Sequence, residues 1–483
     1  MKKMKIVSCA VVFLVFAVGV FAARIDNYFE YAKKNEALLT AFLHKMPKGA
    51  DLKNNLSYSG YGEYMIDYAI NNNLVFDRQA QKFVSNAIPA PSNTKRQTAA
   101  QKNSTETKDQ VWTASDLAFN PIAYAEVLRA VSLRDNSQIV NEKYLNSFDK
   151  FSKAVDYYET IREILTRAVS QNILYVELTA SPYEEDIEGW LNKIEIVRKE
   201  TAAKAKKDLQ LGIILSIDRN SSYSSNLPFD AKQYLTYFND KVSAVMAAAV
   251  KFRDKGIVGV SLLSTEEGWI ARTQFNAQIN VLNRYWTAYQ KRGANVNISL
   301  PAGSITTQYA PYESLIDHIS KSIRFGHAKR ISGGAGIVWE NDAYALLGYM
   351  RNNDIAVEIV PSADENLLKT KGSFVLYKDA GVPITINTDS EGFFRSNLTL
   401  EYVKAASNFN LTYQDVKRLA FNALEYSFIS GESLFENGNY AKPKKVAPSN
   451  SKKAVLQQKL LNDFIEFEKS MEDVIKNNFP NAR

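Results

Sequence analysis

Cysteine and histidine are the two residue types of which this sequence has least. Its 483 residues include one cysteine, Cys9, and three histidines, His44, His318 and His327. Thiolates and imidazoles are the usual protein ligands of zinc and of most other transition metals. A cysteine-based metal centre and a disulfide within the chain are therefore excluded. A centre built on three histidines would need every histidine present.

A strong charge of one sign is also absent. Lys plus Arg number 59 and Asp plus Glu number 52, which gives a net charge of +7. A balance this mild does not indicate nucleic-acid binding. Apolar residues make up 46% of the chain, which is an ordinary globular composition, so we expect a large core.

The longest apolar run stands at the beginning of the chain. Lys2, Lys3 and Lys5 precede an apolar stretch at 6–21, and small residues follow it. This order is typical of a cleaved secretory signal, and a stretch of roughly 16 residues is short for a membrane span. Residues 1–22 are thus predicted to be a signal peptide. The mature protein is predicted to be exported, periplasmic or secreted, without a stable membrane span. An uncleaved anchor and a lipoprotein signal around Cys9 are the alternatives.

The rest of the chain divides into three parts. Residues 23–45 have a helical pattern, residues 46–435 form the main domain, and residues 436–483 form a linker and an apolar-striped C-terminal helix. A polar stretch at about 85–110 is expected to be an exposed loop. We expect the C-terminal helix to pack on the main body. Binding to a partner or to a membrane surface is the alternative.

Short apolar runs alternate with helical patterns through the main domain. Six runs lie at 173–178, 211–217, 257–263, 296–300, 355–359 and 382–387, and weaker candidates lie at 50–54 and 323–327. Helical patterns occupy 186–207, 232–253, 271–291 and 412–429. Eight strands alternating with helices predict an α/β fold, a (β/α)8 TIM-type barrel with extra N-terminal helices and a C-terminal helix. A doubly wound open sheet is the alternative, although no GxGxxG follows the first strand.

Polar and glycine residues cluster where the predicted strands end. The predicted ends read Lys53-Asn54-Asn55, Pro301-Ala302-Gly303-Ser304, Gly326-His327 and Thr388-Asp389-Ser390. In a barrel, functional groups gather at the carboxyl ends of the strands, so we expect these residues around one mouth. Any one of these ends taken alone is also explained by turn formation.

These segments, in this order, resemble the adenosine deaminase family, most closely its secreted, growth-factor-related branch. The matching segments are MPKGADLKNNLS at 46–57 (PKxELHxHL in the family), SLPAGS at 299–304 (HAGE), RFGHAKRI at 324–331 (RIGHG) and INTDSEG at 386–392 (NTDD). The helices LTLEYVKAA and FNALEYSF resemble those that follow in the family. The resemblance extends from about residue 46 to residue 431 and implies a metal-dependent hydrolase of the barrel class.

The resemblance also implies a site and a reaction. In the family, zinc is held by both histidines of HxH, by the HAGE histidine and by the first aspartate of NTDD. The HAGE glutamate moves protons, and the RIGHG histidine and the aspartates act on the attacking water. Zinc supplies hydroxide at neutral pH. That hydroxide displaces ammonia from a purine nucleoside.

This sequence departs from the family at most of those positions. Lys53 and Asn55 replace the first two histidines, and Pro301 replaces the third. Ser304 replaces the glutamate, and Ser390 replaces the second aspartate. His44 precedes the first strand and His318 lies in a helical pattern, so neither is expected at the mouth.

Two functional positions of the family are retained, His327 and Asp389. These two are the candidate catalytic residues, and Asp389 is the only matching metal-ligand position. No cofactor is therefore expected. His327 is either a remnant that hydrogen-bonds Asp389 and fills the pocket or a working acid–base or ligand-binding group. On the sixth and eighth strands, the two side chains are expected to face each other across the mouth.

Lys53, Asn55, Gly303, Ser304 and Ser390 are the candidate pocket residues. Removing a dication would leave Asp389 as an uncompensated carboxylate. We hypothesise that Lys53 pairs with it in place of zinc, because the first and eighth strands of a closed barrel are neighbours. An exposed turn position for Lys53 is the alternative.

The sequence therefore predicts an exported adenosine-deaminase-like protein that has lost zinc and deaminase activity. The barrel mouth would bind a nucleoside-like molecule or a protein partner, and no nucleic acid is expected. An active purine nucleoside deaminase, or another hydrolase with a non-standard site, is the alternative. The branch is often dimeric, so a homodimer is a further expectation.

Overall fold

The chain folds around a barrel of eight parallel strands. A computed structural model describes residues 24–85, 111–133, 155–182, 184–219, 229–445, 448 and 450–479. The predicted signal peptide and nearly all of the polar stretch lie outside the described residues. The barrel strands are β1 Gly49–Asn55, β2 Ile173–Ala180, β3 Gln210–Asp218, β4 Ile257–Leu263, β5 Ser299–Ala302, β6 Arg330–Gly333, β7 Ala356–Ile359 and β8 Ile384–Ile386.

Two four-stranded parallel sheets, β1 to β4 and β5 to β8, join to close this barrel. A parallel bridge between Val260 and Ile298 connects β4 to β5, and one between Asn54 and Asp389 connects the ends of β1 and β8. Almost every residue of β2 is buried, as expected of a strand covered by helices on one side and by the barrel interior on the other. The predicted (β/α)8 barrel is confirmed.

Helices surround the barrel and extend both ends of the chain. The α-helices are 24–32, Glu36–Lys45, Leu56–Ser59, Gly62–Asn71, Ala114–Phe119, Pro121–Val131, Tyr157–Ser170, Ile187–Ala205, Ala231–Lys251, Trp269–Thr273, Phe275–Gln290, His318–Arg324, Ala343–Asn352, Pro361–Asn366, Phe374–Asp379, Glu391–Phe394, Leu398–Asn408, Tyr413–Glu425 and Lys452–Asn478. Short 3-10 helices lie at Arg253–Lys255, Tyr312–Ser314 and Ala335–Trp339. None of the helices in the described ranges is long and apolar enough to cross a membrane.

The sixth strand lies where the sequence pattern did not place it. The candidate at 323–327 is wrong, because Ile323 belongs to the helix His318–Arg324 and the strand begins at Arg330. The strand reads Arg-Ile-Ser-Gly and contains one large apolar residue, so hydrophobic patterning does not reveal it. Its arginine is nonetheless buried, with 1% of its surface exposed.

The described residues at 62–85 and 111–133, between β1 and β2, form a small unit with its own apolar cluster. Strands Leu74–Asp77, Lys82–Ser85 and Val111–Trp112 make an antiparallel sheet, which the sequence analysis did not predict. This sheet and the helices around it share an apolar cluster that includes Phe76 and Phe393. Because Phe393 follows β8, the unit lies on the face where the barrel strands end.

The C-terminal helix Lys452–Asn478 packs on the main body. Phe464 and Phe467 are buried, and their ring centroids lie 5.2 Å from those of Phe421 and Phe42, respectively. An antiparallel hairpin of Phe435–Glu436 and Asn439–Pro443 precedes this helix. Burial of the apolar stripe therefore anchors the helix to the barrel.

Candidate functional site

The ends of β1 and β8 bring Lys53 and Asp389 together at the mouth. The amide of Asp389 donates to the carbonyl oxygen of Lys53 at 2.7 Å, and the amide of Asn55 donates to that of Asp389 at 2.6 Å. Across this closure the Lys53 Nζ lies 3.9 Å from the Asp389 Oδ1. The two side chains are 21% and 22% exposed, so Lys53 does not point away into solvent. The geometry agrees with the hypothesis that its ammonium stands beside the retained carboxylate.

The charge of Asp389 depends on two opposing effects. Burial raises the pKa of Asp389, and the positive charge of Lys53 lowers it without cancelling the rise. Glu358, inside the barrel, adds to the rise, and a hydrogen bond from Ser390 opposes it. The positive charge of Lys53 therefore offsets only part of the cost of burying the ionised Asp389 carboxylate.

Behind this pair, a hydrogen-bonded group fixes the ends of β1 and β8. Asp51 is 1% exposed and accepts hydrogen bonds from the Thr388 hydroxyl at 2.5 Å and the Asn54 amide at 3.2 Å. Burial, together with the nearby charge of Glu391, raises the pKa of Asp51 to about 7. The hydrogen bonds hold Asn54 and Thr388 in place, and these residues flank Lys53 and Asp389.

The predicted pocket residues after β5 are engaged by a glutamate that the sequence analysis missed. The Gly303 amide donates to the Glu266 carboxylate at 3.1 Å, and the Ser304 amide donates to its other oxygen. Glu266 belongs to the loop after β4 and is 2% exposed. The position of Gly303, with φ of 77°, lets the backbone turn both amides toward this carboxylate.

His318 lies on the same face of the barrel, which corrects the expectation that it lies away from the mouth. The helix His318–Arg324 follows β5, and its first residue therefore stands on the side where that strand ends. The His318 Nδ1 lies 3.4 Å from the Glu266 Oε1, and its ring stacks on Phe275. Burial raises the pKa of Glu266, but the hydrogen bond and charge of His318 and the charge of Arg219 outweigh it, so that pKa is lowered.

His327 lies at the opposite end of the barrel. Two residues separate it from the start of β6, its Nε2 is 2.8 Å from the Asn283 Oδ1, and its ring stacks on Trp286 at a centroid distance of 3.6 Å. Burial and the neighbouring charge of Lys329 lower the pKa of His327. The expectation that it faces Asp389 across the mouth is wrong. The prediction put His327 at the end of the sixth strand, whereas that strand begins after His327, at Arg330.

At the mouth, β6 ends in Gly333, where a side chain would be strained and would displace Ser304. Its φ is 93°, and a Cβ built there would lie 1.7 Å from the Ser304 Oγ. When the family segment RIGHG is placed on Arg330-Ile331-Ser332-Gly333-Gly334, its histidine falls on Gly333. Ser304, where the family has glutamate, therefore fills the space that a side chain at this position would need.

Gly333→Ala should destabilise the fold by at least about 2 kcal/mol, because both the backbone conformation and the Ser304 contact oppose a Cβ. The measurement is urea unfolding. Gly348→Ala is the matched control, because a Cβ there would meet no atom within 4 Å and Gly348 lies in the helix Ala343–Asn352. The control should be neutral or stabilised by up to about 1 kcal/mol. Equal stabilities of the two variants would contradict the close packing of Ser304 against Gly333.

The residues at the mouth do not fit zinc. Zinc in such sites takes nitrogen, sulfur and carboxylate ligands, whereas the family's ligand positions here hold an ammonium, an amide, a proline and one carboxylate. Within the described ranges, no three His, Cys, Asp or Glu side chains are grouped so that they could hold a metal ion. Lys53 instead places a fixed positive charge next to Asp389.

A buried ion cluster crosses the barrel interior. Arg330, from β6, donates to Glu177 of β2, on the opposite side, and at 2.5 Å to Glu358 of β7. All three side chains are at most 1% exposed. The Arg330 guanidinium also lies 3.7 Å from the centre of the Phe428 ring. Because Glu358 also influences Asp389, this cluster is electrostatically linked to the mouth.

Comparisons with known proteins agree with this architecture. The sequence pattern of the family described as adenosine deaminase matches residues 123–434. An adenosine deaminase of Clostridium botulinum (strain Okra / Type B1) is 25% identical over 332 residues, which cover 66% of this chain and 87% of the relative.

Solved structures show the same fold. Arabidopsis ADAL complexed with GMP is 15% identical with a TM-score of 0.55, covering 88% of this chain and 98% of the other. The same Arabidopsis protein complexed with IMP is 15% identical with a TM-score of 0.53, covering 89% and 98%. The family match spans well over half of the residues, and this chain belongs to the adenosine deaminase family.

Proposed function

We propose that this protein is a member of the family that has lost zinc and purine deaminase activity and uses its barrel mouth to bind a nucleoside-like molecule. One observation carries the proposal: the Lys53 ammonium lies 3.9 Å from the Asp389 carboxylate, at a position where the family has a metal-ligating histidine. A protonated amine donates hydrogen bonds and repels cations, so it takes the place of a metal and does not ligate one.

Lys53 also supplies the positive charge that the site would lack without zinc, which supports the same proposal. A partly buried carboxylate without a partner costs on the order of several kcal/mol, and a lysine from the neighbouring strand end reduces that cost. Lys53 thus stabilises a mouth that no longer holds a dication. Pro301 and Ser304 also support the loss of activity, because they stand where the family has its third zinc-ligating histidine and its proton-transferring glutamate.

A small ligand is favoured over a protein partner. Polar side chains that suit a small molecule remain at the strand ends, namely Lys53, Asn55, Ser304, Asp389 and Ser390. The Arabidopsis neighbours were solved with GMP and IMP, which are purine nucleotides. The pattern of residues 1–22 supports export, and we propose that the ligand is met in the periplasm or outside the cell.

The test is metal content together with ammonia release. The purified protein is examined by elemental mass spectrometry and incubated with adenosine, with and without added zinc. The Clostridium botulinum relative serves as the positive control. Loss of one catalytic hydrogen-bond donor commonly costs ~10²–10³-fold in rate, so the replacement of three ligands and the glutamate should leave no ammonia above background.

Two results would overturn the proposal. One is a stoichiometric, tightly held metal in the purified protein. The other is zinc-dependent ammonia release at a rate comparable to that of the control. Either would favour the alternative of an active deaminase or other hydrolase with a non-standard site around Asp389.

A further inference from the structure

The Lys53 ammonium is an enclosed hydrogen-bond donor with no hydrogen-bond acceptor at bonding distance in the part of the chain that the structure describes. Its one ion pair there is with Asp389, and a separation of 3.9 Å is longer than a hydrogen bond. An ammonium carries three N–H donors. With 21% of its side chain exposed, Lys53 is open to a small molecule while much of its surroundings is protein.

The other strong donors at this face are either used or closed to a ligand. Arg219, which follows β3, keeps an Nε without a hydrogen-bond partner among the described residues, but only 1% of its surface is exposed. The backbone amides of Gly303 and Ser304 donate to the Glu266 carboxylate, so they are not available to a ligand. Asn55 and Ser304 carry side chains that both donate and accept, and they therefore favour neither kind of ligand group. Asp389 is an acceptor at the same mouth, but Lys53 already stands beside it as its cation. We therefore assign the preference of the mouth to the N–H donors of Lys53, which have no acceptor at bonding distance among the described residues.

We infer that the mouth selects ligands that present an acceptor oxygen to Lys53, and that it binds 6-oxopurine nucleosides and nucleotides more tightly than 6-aminopurine ones. A ring carbonyl facing the ammonium forms a charge-assisted hydrogen bond. An amino group at the same ring position would bring N–H donors against N–H donors. GMP and IMP, bound in the Arabidopsis neighbours, both carry this carbonyl. The inference rests on the proposed function, because a working adenosine deaminase has to accept the amino form.

Phosphate oxygen is a second acceptor with the same chemistry, and the choice of probes separates the two. The full protein is titrated calorimetrically with inosine, adenosine, IMP and inorganic phosphate. Inosine should bind at least about tenfold more tightly than adenosine, the size expected of one charge-assisted hydrogen bond at a partly exposed site. Inorganic phosphate should bind more weakly than inosine.

Lys53→Met tests the residue itself. The variant removes the donor and should bring the inosine-to-adenosine affinity ratio close to one, while Lys53→Arg, which keeps a charged donor, should retain a preference for inosine. Lys199→Met is the matched control, because Lys199 is 68% exposed on the outer helix Ile187–Ala205. It should leave the ratio unchanged. Thermal unfolding establishes that each variant is folded.

Several outcomes would overturn the inference. They are equal binding of inosine and adenosine, absence of binding to either, a ratio that survives Lys53→Met, and phosphate binding as tight as that of inosine. Ammonia release from adenosine would instead overturn the proposed function. Equal binding without ammonia release would leave the proposed function standing and remove only the inferred preference.

Discussion

Replacing Arg330 with methionine should lower the free energy of unfolding by about 3–5 kcal/mol. The substitution keeps much of the side-chain volume and removes the only cation of the Arg330, Glu177 and Glu358 cluster. Both carboxylates are at most 1% exposed, so water cannot replace the lost guanidinium. Two like charges would then remain inside the barrel. Their compensation would be hydrogen bonds from the Ser299 and Tyr175 hydroxyls and the Phe428 amide, together with the nearby charge of Lys453.

Denaturant unfolding of the variant beside a surface arginine variant measures this effect. Arg162→Met is the matched control, because Arg162 pairs with Glu159 and Glu200 at 34% exposure and such pairs contribute less than about 1 kcal/mol. A compound variant, Arg330→Met with Glu177→Gln and Glu358→Gln, should recover part of the loss, because it leaves no buried charge unpaired. A loss for Arg330→Met as small as that of the control would contradict the interpretation of the cluster as a buried charge system.

This cluster also explains where the sequence analysis of the fold succeeded and where it did not. Strands such as β2 and β4 are mostly apolar, and their burial on both faces follows from composition, although the sequence pattern does not explain the buried Glu177 of β2. The sixth strand gains its place from partners on β2 and β7, which are remote in sequence. A pattern read within a short window contains no information about those partners.

The same reasoning applies to the mouth. The contact of Lys53 with Asp389 could be anticipated, because barrel closure alone makes the ends of β1 and β8 neighbours. Glu266 and His318 could not, because their contact depends on how two loops and the start of a helix fold over β4 and β5. The sequence offered two signals for this contact, namely a glutamate in the loop after β4 and a histidine at the start of a helix after β5. Each of them is also common at positions without a functional role, so neither pointed to the contact.

Asp364→Asn should make the protein more stable than the wild type at neutral pH. This difference in the free energy of unfolding should shrink as the pH is lowered. Asp364 lies in the helix Pro361–Asn366 after β7 and is 4% exposed. Burial, followed by the charges of Glu401 and Glu365, raises the pKa of Asp364 to about 8. In the unfolded chain an aspartate releases its proton near pH 4.

The direction of the effect follows from proton binding. Between about pH 4 and pH 8 the folded wild type holds a proton that the unfolded chain has released, so its stability falls as pH rises through this window. A shift of about four pKa units corresponds to a loss of roughly 5 kcal/mol once pH 8 is passed. Asparagine cannot ionise, so the variant escapes this loss. The difference in unfolding free energy should therefore grow from pH 5 to pH 8.

Urea unfolding of both proteins at pH 5, 6, 7 and 8 measures that difference, and the comparison removes contributions that the two proteins share. Asp51, whose burial raises its pKa to about 7, changes wild-type stability in the same direction. Lys48, whose burial lowers its pKa to about 7, changes stability in the opposite direction above neutral pH. Both are present in each protein and cancel in the difference.

Asp379→Asn, at an exposed position in the helix Phe374–Asp379, is the matched control and should have a small effect at every pH, as surface substitutions usually do. A difference for Asp364→Asn that stays constant from pH 5 to pH 8 would show that Asp364 is ionised in the folded protein throughout. The carboxyl groups of Asp364 and Glu401 would then have to share their site as two charges. Two such charges require a compensating cation. Among the described residues the cation near this site is Lys404, and it pairs with Glu365 at 2.8 Å.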